Sequence, residues 1–368
     1  MWGAPLAPRT RSRTLEHRGE GVGTGQPPAD SLEEMNAAIR PITIAGGGLA
    51  GLSLGIALRD RGVPVTLHEA GSYPRHRVCG EFLSGVTDET LGRLRIAAHL
   101  EDAVPLKSSC WRNDSRQLGE IGVSGRGISR RLLDDRLQKR FKDLGGTLVT
   151  ESRIPPGEGV IWAAGRVRQP SPWIGLKCHV RGMALTHDLE MHVGSSGYAG
   201  VARIEGGSVN LCGLFHTGVA SGKGIDLLLG CLRAGGLHML AKRVADASPD
   251  QESFCGVAGF RFGRGASASF SIGDAALMIP PFTGNGMSMA LEAADLAVQP
   301  AMDYAAGRIS WREASARSDA AQQSNFSRRM ALSSWIHPVL TNRIGLKVLE
   351  TAASARLIPY ELFYRLLR

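Results

Sequence analysis

The sequence predicts an α/β fold with a parallel sheet, an inserted antiparallel sheet and a helical C-terminal segment. Two observations lead to this prediction. Near residue 41, short strands of buried type alternate with a helical pattern, and from about residue 174 a run of strands follows with turn residues between them. A length of 368 residues is enough for two or three domains.

The first 39 residues are rich in Arg, Gly, Pro and Glu and show no apolar period, which predicts a disordered extension. Met35 lies just before the first convincing strand, so we take it as a candidate start of the protein. The rest of the chain divides into a dinucleotide-binding part, an antiparallel substrate domain, a second dinucleotide-binding part and a helical segment, at 40–173, 174–260, 261–310 and 311–368.

A glycine-rich turn follows the strand at 41–45 and opens a helix, and a second strand follows at 63–68. The turn has the form G-x-G-x-x-G, which is typical of dinucleotide binding when a strand, a helix and a second strand frame it. Gly46 permits the tight turn, Gly48 lets a pyrophosphate approach the backbone, and Gly51 lets the helix pack on the strand. Glu69 ends the second strand, where an acidic side chain can accept hydrogen bonds from ribose hydroxyls.

A second motif lies more than two hundred residues further on. The strand at 269–272 ends in Gly273-Asp274, and 280–287 then reads Pro-Pro-Phe-Thr-Gly-Asn-Gly-Met and leads into a helix. The two motifs together resemble those of the FAD-dependent monooxygenase and geranylgeranyl-reductase superfamily, whose fold is of the p-hydroxybenzoate hydroxylase type. The resemblance covers nearly the whole chain from about residue 41.

This resemblance implies one tightly bound FAD. In such a site Asp274 holds the ribityl chain, and the helix start at Gly284 and Gly286 points N–H groups at the flavin edge that becomes anionic on reduction. The segment 128–134 is similar to the family's third element, in which an Arg before a helix contacts FAD. Arg130 is the candidate for that contact, with Arg131 second.

The segment from Arg77 to Glu81 resembles the Cys-Gly signature of the geranylgeranyl-reductase branch, a loop that borders flavin and substrate. We therefore take Arg77 as a cofactor contact. Cys79 is either a hydrogen-bonding or proton-donating thiol, or a small packed side chain.

The branch stays open, because the sequence departs from each branch. The stretch 163–166 lacks the Asp-Gly pair of flavin monooxygenases, and the region of Tyr198 keeps the Tyr of the reductase pattern but loses its Trp and Phe-Pro. The halogenase motif Trp-x-Trp-x-Ile-Pro is absent from the sequence.

The predicted function is flavin-dependent oxidation of an apolar small molecule. The preferred activity is that of a monooxygenase using molecular oxygen, with NAD(P)H as a transient reductant, because a dry apolar cavity suits that chemistry. The alternative is an alkene reductase acting on prenyl chains, and a third is a flavin-binding protein without turnover. Cys79, Tyr198 and Phe282 are the candidate substrate-pocket residues. No catalytic side chain is named, because the cofactor carries the chemistry.

The charge pattern and the cysteines narrow the class of protein. The net charge is +9, but no Lys/Arg run is interleaved with aromatics, so we expect no nucleic-acid partner. Six cysteines show no metal-ligand spacing, so we expect no metal and a cytoplasmic location.

Ten Lys/Arg against five Asp/Glu after residue 300 suggest peripheral membrane contact through the C-terminal helices. Strand alternation could aim His179, His192 or His216 into a pocket of the antiparallel sheet, but we interpret them as structural residues.

Overall fold

A computed structural model describes residues 39–166, 169–265 and 270–368. Residues 1–38 of the extension predicted at 1–39, the candidate start Met35 and the strand residue Ser269 lie outside the described residues. All six cysteines are free thiols.

The predicted strand–helix–strand unit is the centre of a five-stranded parallel sheet. Its strand order is β14-β7-β1-β2-β6, and each neighbouring pair runs parallel. The strands are short and apolar: β1 (Ile42–Ala45), β2 (Val65–His68), β6 (Thr147–Val149), β7 (Val160–Trp162) and β14 (Phe270–Ser271). Because β14 comes from the second predicted part, two distant stretches of chain build one sheet.

Nine helices are present in the described part of the chain. They are α1 (Leu49–Asp60), α2 (Asp88–Arg93), α3 (Arg130–Asp143), α4 (Gly224–Ala234), α5 (His238–Asp246), α6 (Gly286–Ala305), α7 (Trp311–Ile336), α8 (Arg343–Ser354) and α9 (Tyr360–Leu366). No helix among these is long and apolar enough to cross a membrane.

Helix α1 is the most deeply buried helix, because every residue from Leu49 to Leu58 is covered by protein. Small residues make this packing close: the Cβ of an alanine at Gly55 would lie only 3.0 Å from the Phe141 ring of α3. The same core includes apolar side chains of α6. The glycine turn that precedes α1 is therefore held in place from several sides.

An eight-stranded sheet forms the second layer, in the order β12-β8-β11-β10-β9-β4-β5-β3. Its strands are β3 (Phe82–Ser84), β4 (Val104–Asn113), β5 (Arg116–Gly127), β8 (Trp173–Arg181), β9 (Leu189–Gly194), β10 (Gly197–Arg203), β11 (Ser208–His216) and β12 (Ser248–Ala258). Helices α4 and α5 cover the apolar residues of β8, β10 and β11. A two-stranded sheet pairs β13 (Gly263–Arg264) with β15 (Leu277–Met278).

Two features of this sheet differ from the sequence analysis. Strands β3, β4 and β5 come from 82–127, a stretch for which we predicted no antiparallel strands. Their polar and glycine-rich residues hide the apolar alternation, since β5 has only two fully buried positions. The sheet is also not wholly antiparallel, because β4 and β9 pair parallel. The run of strands predicted from about residue 174 is present and begins with β8 to β11.

Candidate functional site

The first glycine turn leaves an open space at one position. Gly46 has φ of +115°, and a Cβ there would clash with the backbone of Ala163. A Cβ at Gly51 would clash with the carbonyl oxygen of Gly46. Packing therefore explains both of these glycines. At Gly48 no described protein atom lies within 4 Å of the Cβ position, so the protein itself does not require glycine there.

Glu69 is placed beside this turn by the end of β2. Its carboxylate accepts hydrogen bonds from the Gly47 N–H at 2.8 Å and from the Gly71 N–H at 3.0 Å. Arg75 forms an ion pair with the same carboxylate. Glu69 is buried, with 3% of its surface exposed, and it fixes the turn whose N–H groups open α1.

Arg77 and Arg130 converge on Asp134. The Arg77 Nε lies 2.8 Å from one carboxylate oxygen, and the Arg130 Nε lies 2.8 Å from the other. Arg77 also donates to the Gly47 carbonyl oxygen at 3.2 Å. The Arg131 side chain is exposed at the surface. Together with Arg75, three guanidinium groups meet two carboxylates beside the glycine turn, so the local charge is positive.

Asp274 lies on a short turn that follows β14, after Gly273 with φ of +62°. Its side chain is accessible, yet surrounding protein atoms raise the pKa of its carboxyl group, an effect that the charges of Arg130 and Arg166 oppose. Asp274 lines a small recess together with Gly273 and Gly286.

The second glycine turn leads into α6. Gly284 has φ of +67°, and a Cβ there would clash with the Phe82 ring. Gly286 is the first residue of α6, and no described atom lies within 4 Å of its Cβ position. It therefore shares with Gly48 an open side that the described protein does not fill.

Residues near the C-terminal end of the chain cover this second turn, a contribution that the sequence analysis missed. Arg368 donates a hydrogen bond to the Thr283 carbonyl oxygen at 3.0 Å and another to the Asn285 side chain. Asn285 is buried and donates to the Leu367 carbonyl oxygen. We find no sequence signal that would have indicated these contacts.

These observations test whether the residues fit FAD. A recess of about 10 Å³ lies between Gly273, Asp274 and Gly286, which is room for one water and too small for a flavin ring. The fit depends instead on the open positions Gly48 and Gly286, the positive charge beside the first turn, and the carboxylate of Asp274. This donor set suits an anionic dinucleotide with a hydroxylated chain, so the residues fit FAD.

The three candidate substrate residues lie in two different places: Tyr198 and Phe282 contact each other, and Cys79 contacts other residues. The Phe282 N–H donates to the Tyr198 hydroxyl at 3.2 Å, and their rings pack edge to face with centroids 6.1 Å apart. Cys79 makes its contacts elsewhere: its thiol accepts from the Glu81 N–H at 3.4 Å, and its carbonyl oxygen accepts from Asn210. Burial raises the pKa of the Cys79 thiol, so this group is protonated at neutral pH.

A buried cluster beside Cys79 was also missed. Lys177 and Glu81 have no exposed surface, and their Nζ and Oε1 atoms are 3.3 Å apart. His179 Nε2 is 2.5 Å from Glu81 Oε2, and His76 Nδ1 is 3.1 Å from Lys177 Nζ. The ligand atoms of His76, Glu81 and His179 lie close enough for a metal, but the Lys177 ammonium already contacts two of the three, so we assign none. The sequence signal that could have indicated this cluster is a lysine, Lys177, within the apolar strand β8.

The other two histidines of the sheet contact neighbouring side chains. His192 is buried and lies 3.0 Å from the Glu190 carboxylate, which also pairs with Arg243. The ring of His216 is 4.1 Å from that of Trp173. His337, which no sequence pattern indicated, lies among aromatic side chains close to Phe282.

Comparisons with known proteins find similarity in structure alone. No family model matches the sequence, and no curated protein matches it either. Many solved structures do match the chain.

Three of these structures are informative. Pseudomonas aeruginosa PqsL, an FAD-dependent monooxygenase solved with 2-aminobenzoylacetate, has a TM-score of 0.67 at 15% identity, over 84% of this chain and 99% of that one. The flavin-dependent brominase Bmp2 has a TM-score of 0.66 at 16% identity, over 89% and 93%. A geranylgeranyl bacteriochlorophyll reductase-like protein from Thermoplasma acidophilum has a TM-score of 0.68 at 16% identity, over 89% and 95%. The chain therefore has the fold of the FAD-dependent oxidoreductase superfamily.

Proposed function

We propose that this protein is an FAD-dependent monooxygenase that acts on an apolar small molecule. The observation that carries the proposal is the pair of open glycine positions, Gly48 and Gly286, together with Asp274, which lines a recess beside Gly286. Each glycine begins a helix whose free N–H groups are available to a ligand. The structural relatives include a monooxygenase, a halogenase and a reductase-like protein, and all share this fold.

In this proposal the two motifs hold different parts of FAD. The turn from Gly46 to Gly51, with Glu69, Arg77 and Arg130 beside it, would hold the adenosine and pyrophosphate. Asp274 would accept hydrogen bonds from the ribityl hydroxyls, and the α6 N-terminus at Gly286 would favour negative charge on the reduced ring. When bound, FAD supplies the redox chemistry, since its reduced form passes electrons to molecular oxygen.

The substrate side of the proposed site excludes water. Tyr198 and Phe282 are almost fully buried, and the apolar cluster around them includes Met191, Leu214 and Met278. Such a lining keeps reactive species away from water, which favours oxygen transfer over wasteful oxidation. With NAD(P)H as the two-electron donor, one oxygen atom goes to the substrate and the other leaves as water.

Stopped-flow spectroscopy tests the proposal. Anaerobically reduced protein is mixed with oxygenated buffer, and the flavin absorbance is followed. We expect reoxidation in two phases, with a distinct spectrum between the reduced and the oxidised forms. Protein that contains no flavin and takes up none would overturn the proposal at its base.

One observation favours an alkene reductase as the second candidate. Burial keeps the Cys79 thiol protonated against the opposing effect of Arg130, so the thiol could serve as a proton donor. A reductase would need no oxygen, so its flavin would reoxidise in a single phase. Reduction of a prenyl alcohol under anaerobic conditions would then replace oxygen transfer as the activity.

We also propose that the C-terminal helices contact an anionic lipid surface. Trp335, Ile344 and Leu357 are each more than 70% exposed, and the basic residues Arg343 and Lys347 lie beside Ile344 on α8. Exposed apolar side chains flanked by positive charge suit the interface of an anionic membrane. Flotation with phosphatidylglycerol vesicles should recover the protein, and Ile344→Glu should reduce the recovered fraction.

Met239→Glu, which changes an exposed apolar residue on α5, is the matched control and should float like the wild type. Equal flotation of all three proteins, or none by the wild type, would contradict the membrane contact.

A further inference from the structure

His337 is a buried histidine whose ring nitrogens lack hydrogen-bond partners. It follows the last residue of α7, and only 8% of its surface is exposed. Neither Nδ1 nor Nε2 has a hydrogen-bond partner in the described part of the chain. A buried polar atom without a partner costs about 1–3 kcal/mol. Two such atoms on one side chain therefore carry an unusually large free-energy cost unless a ligand forms hydrogen bonds with them.

Aromatic rings surround this imidazole. The ring centroid of Phe262 lies 4.8 Å away, that of Trp173 5.2 Å and that of Tyr198 6.0 Å. Phe282 lies almost parallel to the imidazole at 6.3 Å, with an interplanar angle of 16°. We call these four residues and His337 the aromatic cluster. Within it the Tyr198 hydroxyl already accepts a hydrogen bond from the Phe282 N–H.

The imidazole is uncharged at neutral pH. Burial, and to a smaller extent the nearby His216, lower the pKa of His337 to about 4. A neutral imidazole donates through one nitrogen and accepts through the other. It offers no countercharge to a carboxylate or a phosphate, which would lose solvation among these rings without compensation.

The position of the cluster relates it to the proposed flavin site. Phe282 belongs to both, since it is two residues before Gly284 in the turn that opens α6. Strands β8 and β10 supply Trp173 and Tyr198 from the eight-stranded sheet. The cluster therefore joins the sheet to the turn that would carry the flavin edge.

We infer that the aromatic cluster binds a flat, uncharged aromatic substrate, and that His337 makes a hydrogen bond to its hydroxyl, carbonyl or N–H group. This inference rests on the proposed function and adds the substrate class to it. The rings supply stacking and edge contacts, and His337 fixes the orientation of the bound molecule. His337 is a positioning and specificity residue, with no part assigned to it in the chemistry.

The test compares two probes of nearly equal shape, 1-naphthol and naphthalene. Only the first offers a hydroxyl to His337. Binding is measured by calorimetry on the purified holoprotein and on three variants, His337→Phe, His337→Gln and His238→Phe. His238 is exposed, so its variant is the matched control. Thermal unfolding of each variant shows whether it is folded.

We expect the wild type and the His238 variant to prefer 1-naphthol by about threefold to tenfold, the worth of one hydrogen bond. His337→Phe should bind both probes equally, while His337→Gln should keep part of the preference. Equal binding of the probes by the wild type, binding of neither, or an unchanged preference in folded His337→Phe would each overturn the inference. If His337→Phe fails to fold, His337→Gln decides by the same comparison.

The flavin content of each preparation separates this inference from the proposed function. A protein without flavin that still shows the 1-naphthol preference would contradict the monooxygenase and leave the aromatic cluster as a binding site. A flavin-loaded protein without the preference would contradict the aromatic cluster as a binding site and leave the monooxygenase proposal in place.

Discussion

Lys177 Nζ lies 3.3 Å from Glu81 Oε1, and neither side chain has any exposed surface. This pair joins β8 of the eight-stranded sheet to the loop that follows Arg77. Glu81 has a φ of 55°, a conformation that residues other than glycine rarely adopt. Its carboxylate also accepts from the Arg130 N–H at 3.1 Å. A buried charge pair and a strained residue thus meet next to Cys79, at the junction of the two sheets.

Removing the positive partner of this pair should destabilise the fold strongly. Lys177→Met leaves a buried carboxylate without its ammonium partner, at a cost of about 3–5 kcal/mol. Urea unfolding measures the loss. The double variant Lys177→Met/Glu81→Gln should recover part of it, because no unpaired charge remains. Lys139→Met, which removes an exposed pair with Asp135, is the control and should change stability by less than about 1 kcal/mol.

Substitution of the glycines should separate ligand binding from packing. Gly48→Ala places a methyl group where no described protein atom lies within 4 Å, so the protein should unfold at the wild-type temperature. Its FAD affinity should fall about tenfold or more, since the methyl group blocks the pyrophosphate. Gly51→Ala clashes with the Gly46 carbonyl oxygen and should destabilise by about 1–3 kcal/mol.

Gly92→Ala serves as the control, because its Cβ position is also open but lies on α2, away from both turns. Fluorescence titration of FAD into stripped protein gives the affinities. Wild-type affinity in Gly48→Ala would remove this turn from the cofactor site.

Loss of the Asp274 carboxylate should deplete the cofactor without unfolding the protein. Desolvation by the surrounding protein atoms raises the pKa of Asp274, which means that its charged form is destabilised in the fold. Asp274→Ala should therefore unfold at the wild-type temperature or above it. A lost hydrogen bond to a charged group corresponds to about tenfold to hundredfold weaker FAD binding. Flavin released per protein is the measurement, and full occupancy in the variant would exclude Asp274 from the site.

The pH dependence of the free energy of unfolding should reveal the lowered pKa of His337. In the folded protein the pKa of His337 is lowered to about 4 from 6.5. Between these values the unfolded chain binds a proton that the folded protein does not. The free energy of unfolding therefore falls as the pH is lowered below 6.5, and the contribution of His337 is fully present above pH 6.5. Relative to His337→Phe, the wild type should lose on the order of 3 kcal/mol over this range.

The titratable residues near His337 are Tyr198 on β10, whose ring contacts the imidazole, and His216 on β11, and both stay in the variant. Subtracting the variant curve therefore removes their contribution. Parallel curves for the two proteins between pH 4 and 6.5 would show that His337 is not buried in its neutral form.

The sequence predicted the parts of this fold in which local pattern and tertiary role agree. The turn from Gly46 to Gly51 lies where the motif requires a strand before it and a helix after it, and Asp274 follows a strand as expected. Strands β3 to β5 escaped prediction because the longest of them, β5, is rich in glycine and has few buried positions. The cluster around Lys177 joins residues about one hundred positions apart, and the rings around His337 come from positions more than fifty residues away, which no local period reveals.

The edge strand β14 has a consequence for synthesis. It pairs with β7, yet more than one hundred residues of the eight-stranded sheet and its helices separate the two in the chain. A ribosome-bound chain that ends before residue 270 therefore lacks this edge of the parallel sheet, along with Asp274 and the whole of α6. Contacts of such long range slow folding. We expect the nascent protein to gain affinity for FAD only after its last third has emerged. A shortage of flavin would therefore affect a chain whose synthesis is already almost finished.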